Sequence, residues 1–323
     1  MKQSSTSLRI FALIPALFPV LATAQAFPTK PIRLIVAFPP GGGTDIVARI
    51  IAPKLGSALG QQVVIENRAG ADGIIGTDFA AKSPPDGYTW FLGTAGNLAI
   101  NQVLYSKVPF DIAKDFAAIT QVVSVDVMLT IHPLLAVKTV GDLIALAKTR
   151  KEGLNYASTG IGGIPHLSME LFNTSAGTKI AHIPYKGGAP ALVDLLGGHV
   201  SMMVQTLVQG LPTVKQGKLH AIALLGPKRA ALLPDVPTVS ETLPGCVATN
   251  WFGLVVPANT PAAIQKRIYD EVVKVLRVPE MQETILAQGA EVVGGTPEEF
   301  AVFMKLEAAK WAQVIKTTNI RAE

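Results

Sequence analysis

The chain carries the stretch Phe38-Pro39-Pro40-Gly41-Gly42-Gly43-Thr44-Asp45 directly after an apolar run, Ile32 to Phe38, that is typical of a buried strand. A helical pattern begins near Thr44, so the prolines and glycines predict a stiff turn at the N-terminus of a helix. Backbone amides at such an end attract anions, and glycines let a ligand approach the main chain closely. We interpret the stretch as a turn that holds a carboxylate; a turn with no ligand is the alternative.

Nucleotide-binding loops do not fit this stretch. A Walker A loop requires Lys and then Ser or Thr after its last glycine, whereas Gly43 is followed by Thr44 and Asp45. The dinucleotide fingerprint requires a third glycine where Ile46 stands. The sequence therefore favours a small anion over a nucleotide.

The first 26 residues predict a signal peptide. Lys2 and Arg9 form a basic region, residues 10–21 form an apolar core, and small residues predict cleavage near Ala24 or Ala26. No second apolar run of membrane-spanning length follows. We therefore expect an exported, soluble protein.

Composition excludes several function classes. The 323 residues suggest two domains, and the net charge of +5 falls to about +3 without Lys2 and Arg9. The basic residues are scattered and not interleaved with aromatic ones, so nucleic-acid binding is not expected. Cys246 is the only cysteine and is expected to be a buried thiol. No metal-ligand spacing occurs, and we predict no metal and no cofactor.

Strand and helix patterns alternate along the chain. Residues 32–92 predict a βαβαβ unit, hence a parallel sheet with right-handed crossovers, and Pro53 is expected to kink or split the first helix. A long extended segment at 116–131, interrupted near Ser124, leads into a second α/β unit.

The chain is expected to cross back between the two units near 246–256, before the helices of the C-terminus. Two crossings predict a two-strand hinge. The predicted lobes are residues 27–122 plus 250–323, and residues 123–249.

Four loops at strand ends are rich in glycine and hydroxyl groups: 38–45, 93–97, 158–163 and 185–188. Two come from each unit, and ligands of open α/β sheets bind at the carboxyl ends of the strands. Amides and hydroxyls from both sides would suit a small anion. Simpler roles stay open, because Ser158 could cap a helix, Lys186 could be a solvated turn residue, and Asp45 could pair with Arg49 four residues later.

A hydrolase is a weaker alternative. Ser158, His166 and Asp194 could be combined into a catalytic triad. However, the Gly-x-Ser-x-Gly signature is absent, because Ala157 precedes Ser158 and Thr159 follows it. We predict no enzymatic activity.

The ordered set of motifs resembles the periplasmic receptors of tripartite tricarboxylate transporters, the Bug family. The resemblance covers the chain after the signal peptide. It rests on residues 30–36, 38–45 with Ala48 and Arg49, 66–73, 84–89, 158–162, His166-Leu167, 184–188, 194–198, 251–254, 257–261 and the tail around Trp311.

This resemblance implies a type II periplasmic-binding-protein fold of class α/β, in which two lobes close on a ligand. It implies carboxylate capture by main-chain and hydroxyl groups of loops 38–45 and 158–163, and delivery to a membrane permease with a large and a small subunit. We expect a monomer; a receptor that signals to a membrane kinase is an alternative.

The candidate ligand-binding residues come from the four strand-end loops and from the strand end at 205. They are Phe38, Pro40, Gly41, Gly42, Gly43, Asp45, Thr94, Ala95, Ser158, Thr159, Gly160, Gly162, His166, Tyr185, Lys186, Gly187 and Gln205. The sequence departs from the family where Gly163 replaces a hydroxyl residue and where His166 stands as a single histidine, so the far end of the ligand is left open.

Overall fold

A computed structural model describes residues 27–150, 153–318, 320 and 321. The predicted signal peptide lies outside these residues. The strands are β1 Ile32–Val36, β2 Val63–Asn67, β3 Thr89–Thr94, β4 Phe116–Ile131, β5 Asn155–Ser158, β6 Ala181–Pro184, β7 Met202–Thr206, β8 His220–Leu224, β9 Thr249–Pro257 and β10 Ala290–Val292. The helices are α1 Gly43–Leu59, α2 Ile74–Ala81, α3 Asn101–Leu104, α4 Ile112–Asp115, α5 Val140–Thr149, α6 Ile164–Ala176, α7 Gly188–Leu196, α8 Leu207–Lys215, α9 Ala262–Leu276, α10 Pro279–Ala287 and α11 Pro297–Thr318.

The strands form one continuous path of pairings, β2-β1-β3-β9-β4-β7-β5-β6, with β8 and β10 also paired to β4. The strands β1, β2 and β3 are parallel, as are β5, β6 and β7, whereas β9 and β4 run antiparallel to their neighbours. The predicted α/β class and the parallel βαβαβ unit are confirmed. We call the half built on β1 to β3 lobe 1 and the half built on β5 to β7 lobe 2.

The long strand β4 belongs to both halves. It pairs with β9 as far as Asp126, and from Val127 it pairs with β7, so its partner changes at this point. Its register against β9 shifts between Ala118 and Thr120 and again between Gln121 and Val123, ahead of the predicted interruption near Ser124. Such shifts bend a strand and increase its twist.

Apolar residues cover both faces of the lobe 1 sheet. Leu34 and Val36 pack with Val47 and Ile51 of α1, because alternate side chains of a strand point to opposite faces. On the other face, Trp251 of β9 and Trp311 of α11 both donate from Nε1 to Glu307 Oε2, at 3.1 and 3.2 Å. These bonds fix the C-terminal helix to the strand beside the hinge.

Some local features differ from the sequence predictions, and one agrees with them. The helix α1 is not split at Pro53, and it continues to Leu59 with Ala52 and Leu55 buried on either side. The one-turn helix α4 and the strand β10 were not predicted, because segments of three or four residues carry little periodicity. Cys246 is buried as expected, and burial raises the pKa of its thiol to about 11.

Candidate functional site

A cavity lies between the lobes, at the carboxyl ends of β1, β3, β5, β6 and β7. Its volume is about 40 Å³. Pockets for small molecules usually measure roughly 300–1,000 Å³, so we infer that the lobes must separate to admit a ligand. The cavity is lined by Phe38, Gly42, Gly43, Thr44, Thr94, Thr159, Gly163, Ile164, Pro165, Gly188, Thr206, Gln209, Asn250 and Phe252. None of these side chains is ionisable.

The turn before α1 is held by Asp45, which is 1% exposed. The Asp45 carboxylate accepts from Gly41 N–H at 2.9 Å, from Arg49 at 2.8 and 3.1 Å, and from Asn67 Nδ2 at 3.0 Å. Burial alone would raise the pKa of Asp45, but the hydrogen bonds from Arg49, Gly41 and Asn67 outweigh it and the pKa is lowered. Asp45 therefore supports the turn from within.

The first amides of α1 border the cavity. Gly42 is the N-cap residue, and no side chain caps it. The first turn of a helix leaves its N–H groups without partners in the helix and carries partial positive charge. Because Gly42, Gly43 and Thr44 all line the cavity, this end of α1 offers hydrogen-bond donors there without a cationic side chain.

Two further polar atoms across the cleft have no partner among the described residues: Thr206 Oγ1 and Gln209 Nε2. They belong to the junction of β7 and α8 in lobe 2. A Cβ placed on Gly43 would collide with Thr206 Oγ1, so lobe 1 and lobe 2 are in close contact at this point. Buried polar atoms of this kind are normally hydrogen-bonded, and a ligand in the cavity would supply the partner.

Ser158 is directed away from the cavity. Its Oγ lies 2.6 Å from His182 Nε2, donates to the Gly160 carbonyl oxygen at 2.8 Å and accepts from Gly160 N–H at 3.1 Å. Ser158 is fully buried. Its hydroxyl group stabilises loop 158–163 from behind, whereas Thr159 lines the cavity.

Two stacked histidines support the same loop. The rings of His166 and His182 are 4.1 Å apart, and His166 Nδ1 accepts from Gly162 N–H at 3.2 Å. Burial lowers the pKa of His166 to about 4. Burial and the neighbouring His166 lower the pKa of His182 to about 3. Both rings are therefore neutral when the loop is formed.

The neutral state of His182 predicts acid sensitivity. An unfolded histidine has a pKa near 6.5, so below that pH the unfolded chain gains a proton that the folded chain lacks, and stability is lost. Between pH 7 and pH 5, the unfolding free energy of the native protein should fall by roughly 1–2 kcal/mol more than that of His182→Gln. Urea denaturation at both pH values measures this difference. The exposed His220 provides the control, since His220→Gln should follow the native protein; identical pH slopes for all three proteins would contradict the assignment.

The predicted ligand-binding residues fall into two groups in the structure. Among the candidates, Phe38, Gly42, Gly43, Thr94 and Thr159 line the cavity. The others do not line it: Pro40, Gly41, Asp45, Ala95, Ser158, Gly160, Gly162, His166, Tyr185, Lys186, Gly187 and Gln205.

Some of these residues have internal partners. Tyr185 donates to Asp194 at 2.6 Å and Gln205 Nε2 donates to Thr130 at 2.9 Å. Pro40, Gly41 and Lys186 are exposed. Ligand contact by all of the candidate residues remains a prediction.

The lining residues that were not predicted come mainly from the ends of β7 and β9 and from the first turns of helices in lobe 2. They are Thr44, Gly163, Ile164, Pro165, Gly188, Thr206, Gln209, Asn250 and Phe252. The position of Thr206 next to Gln205, at the end of a strand, was the signal available. Asn250 and Phe252 reach the cavity only because β9 pairs with β4 beside the hinge.

The suggested triad is not assembled. The ring near Ser158 is His182, not His166, and Asp194 is bonded to Tyr185. Within the described ranges, no group of three or more His, Cys, Asp or Glu side chains could hold a metal ion. No helix in the described part of the chain is long and apolar enough to cross a membrane.

Comparisons with known proteins agree with this geometry. The model of the tripartite tricarboxylate transporter family receptor matches residues 47–320. The Protein BugT of Bordetella pertussis is 38% identical over 301 residues, covering 93% of this chain and 92% of that protein.

Two solved structures of similar proteins contain ligands. R. palustris Rpa4515 with adipate is 36% identical, with a TM-score of 0.89, and the match covers 91% of this chain and 99% of that one. MatC from Rhodopseudomonas palustris with bound malate is 29% identical, with a TM-score of 0.85, covering 90% and 100%. With a two-lobed fold and a cleft at the strand ends, the chain belongs to the tripartite tricarboxylate transporter receptor family.

Proposed function

We propose that this protein is a periplasmic solute-binding receptor whose lobes close on a small organic carboxylate and deliver it to a membrane permease with a large and a small subunit. The observation that carries the proposal is the chemistry of the cavity. Its lining offers the N-terminus of α1, hydroxyls and the unpaired Gln209 amide, and contains no ionisable side chain.

This donor set suits an ionised carboxylate. A desolvated carboxylate needs several hydrogen-bond donors, and bonds to a charged group are stronger than bonds between neutral groups. The partial positive charge at the start of α1 stabilises the anion without a fixed ion pair. Closure traps the ligand between donors of both lobes, and opening exposes the ligand and these donors to water again.

The class of ligand follows from the similar structures. Adipate and malate, held by the two similar structures, are both linear dicarboxylates. The cavity has one donor group at Gly42 to Thr44 and another at Thr206 and Gln209. Because Gly43 and Thr206 face each other at short range across the cleft, we propose that both groups bind the same carboxylate of a short dicarboxylate.

A thermal-shift screen tests this function. The protein is unfolded, dialysed and refolded, then mixed with linear dicarboxylates, tricarboxylates, acidic amino acids and aromatic acids. A ligand at 100 times its Kd should stabilise the fold by about 2.7 kcal/mol and raise the Tm by several degrees. The dimethyl ester of the best ligand should give no shift, because it lacks both charges. The absence of any shift across the panel would reject carboxylate binding.

The remaining expectations form part of the same proposal. The receptor acts as a monomer without catalysis, nucleic acid or cofactor, after cleavage near Ala24 or Ala26. Its lobes comprise residues 27–122 plus 250–323 and residues 123–249, joined by the two-strand hinge. Uptake of the ligand by cells that lack the receptor would favour the alternative role as a sensor for a membrane signalling protein.

A further inference from the structure

A buried carboxylate at the lobe interface has no partner. Asp72 is 8% exposed, and neither of its side-chain oxygens has a hydrogen bond in the described structure. Its backbone is left-handed, with φ of 48°, and its carbonyl oxygen accepts from Asn97 Nδ2 at 3.2 Å and Asn101 Nδ2 at 3.1 Å. The main chain thus fixes the position from which the carboxylate extends.

Lobe 2 covers this carboxylate with glycines. A Cβ on Gly160 would lie 2.5 Å from Asp72 Oδ1, one on Gly163 would lie 3.5 Å from the same oxygen, and one on Gly162 would lie 3.5 Å from Oδ2. Beside them, Tyr105 of lobe 1 donates to the Ile161 carbonyl oxygen at 2.7 Å. Asp72 is therefore buried by closure itself, since loop 160–163 belongs to the other lobe.

The surroundings offer acceptors rather than donors. Asn101 Oδ1 is also buried without a partner, and a Cβ on Gly162 would lie 3.2 Å from it. The amides of Gly160 and Gly162 already donate to Ser158 and His166. Among the described residues no lysine or arginine forms an ion pair with Asp72.

No hydrogen bond from a titratable side chain reaches the Asp72 carboxylate among the described residues. On the lobe 1 side, the Tyr105 hydroxyl donates to the Ile161 carbonyl oxygen of lobe 2. Behind the glycine loop lie His166 and His182, both neutral because burial lowers their pKa. Desolvation disfavours an ionised carboxylate in this position, whereas a protonated one can donate a hydrogen bond.

We propose that closure of the lobes takes up one proton, which Asp72 binds as loop 160–163 covers it. Asp72 is thus a positioning residue that permits full closure only in its neutral form. The same burial raises its pKa well above the ordinary range of a carboxyl group. In the open receptor the carboxylate meets water and ionises, so release of the ligand is favoured at higher pH.

The first test measures ligand affinity and rests on the proposed function. Between the pKa of the open form and that of the closed form, the Kd of the best dicarboxylate should rise about tenfold per pH unit. Calorimetry at pH 7 in two buffers with different ionisation enthalpies should give an uptake of about one proton per ligand. In Asp72→Asn and Asp72→Gly both effects should disappear, whereas Asp270→Asn, an exposed pair with Lys266, should behave as the native protein. Binding without proton uptake would overturn the proposal and leave the receptor function intact.

The second test needs no ligand. A Cβ on Gly41 would lie 3.7 Å from Ala189 Cβ across the cleft, a separation compatible with a disulfide. Gly41 has a φ of 84°, so a cysteine there is strained, but equally in the two backgrounds that are compared. In Gly41→Cys/Ala189→Cys, the crosslinked fraction in a fixed glutathione buffer reports closure. We compare the ratio of crosslinked to uncrosslinked protein when this pair is combined with Asp72→Asn and when Asp72 is kept. The ratio should be higher with Asp72→Asn, and the factor between the two should grow about tenfold per pH unit. Equal ratios in both backgrounds from pH 6 to pH 8.5 would overturn the proposal.

A third arm separates a proton from a metal cation. The crosslinking ratio at pH 8.5 is compared in sodium chloride and in choline chloride. If a proton neutralises Asp72, the two salts should give the same ratio. If sodium restores crosslinking only in the protein that keeps Asp72, a bound cation and not a proton neutralises the carboxylate. That result would overturn proton uptake.

Discussion

A Gly43→Val substitution is expected to abolish ligand binding while leaving the fold intact. A Cβ at this position would collide with Thr206 Oγ1 and lie 3.4 Å from Thr206 Cβ, on the opposite side of the cleft. Gly43 is the first residue of α1 and has an ordinary helical backbone, so valine adds no strain there. The branched side chain both fills the cavity and holds the lobes apart. We expect at least about a 100-fold rise in Kd, or roughly 2.7 kcal/mol, by calorimetry.

Gly153→Val serves as the matched control, and the double variant Gly43→Ala/Thr206→Ala serves as a partial rescue. Gly153→Val should bind normally, because a Cβ on Gly153 meets nothing within 4 Å. In Gly43→Ala, an added Thr206→Ala removes the colliding hydroxyl, so small-angle scattering with ligand should show closure again. Affinity should stay low, because Thr206 Oγ1 is one of the unpaired atoms of the cavity. Unchanged affinity in Gly43→Val would mean that the turn before α1 does not bind the carboxylate.

The sequence predicts those parts of the site that depend on neighbouring residues. The turn at 38–45 could be identified because a strand, its glycines and the following helix are consecutive. The pair of Asp45 and Arg49 followed from helical spacing and is present, at 2.8 Å. The succession of the longer strands and helices along the chain was also predictable, because each of these elements has its own periodicity.

Side-chain direction and long-range pairing were not predictable. Ser158 was chosen as a hydroxyl in a strand-end loop, but its Oγ is bonded to His182, which is 24 residues away. Gln209 and Asn250 reach the cavity through the order of the strands around β4, and no local pattern encodes that order. Asp72 had no periodic signal at all, because it lies in a single turn of left-handed backbone.

The second large effect is expected for Asp45→Ala, which should weaken both the fold and ligand binding. The substitution removes an acceptor from Gly41 N–H, from Arg49 and from Asn67 Nδ2 in a site that is 1% exposed. A buried donor without its partner costs about 1–3 kcal/mol, so we expect a loss of roughly 3 kcal/mol in unfolding free energy. The turn would also relax, and its amides would no longer converge on the cavity.

The exposed pair of Lys266 and Asp270 provides the comparison, because it has the same four-residue spacing on a helix, at 2.6 Å. Asp270→Ala should cost less than about 0.5 kcal/mol, since exposed pairs are screened by water. Because the pKa of Asp45 is lowered in the fold, its contribution is present at neutral pH and is lost as the pH falls through that lowered pKa. Urea denaturation of both variants at pH 7 measures the difference. Equal losses would mean that Asp45 acts only as a surface charge. Other interactions would then have to hold the rigid turn on which carboxylate capture depends.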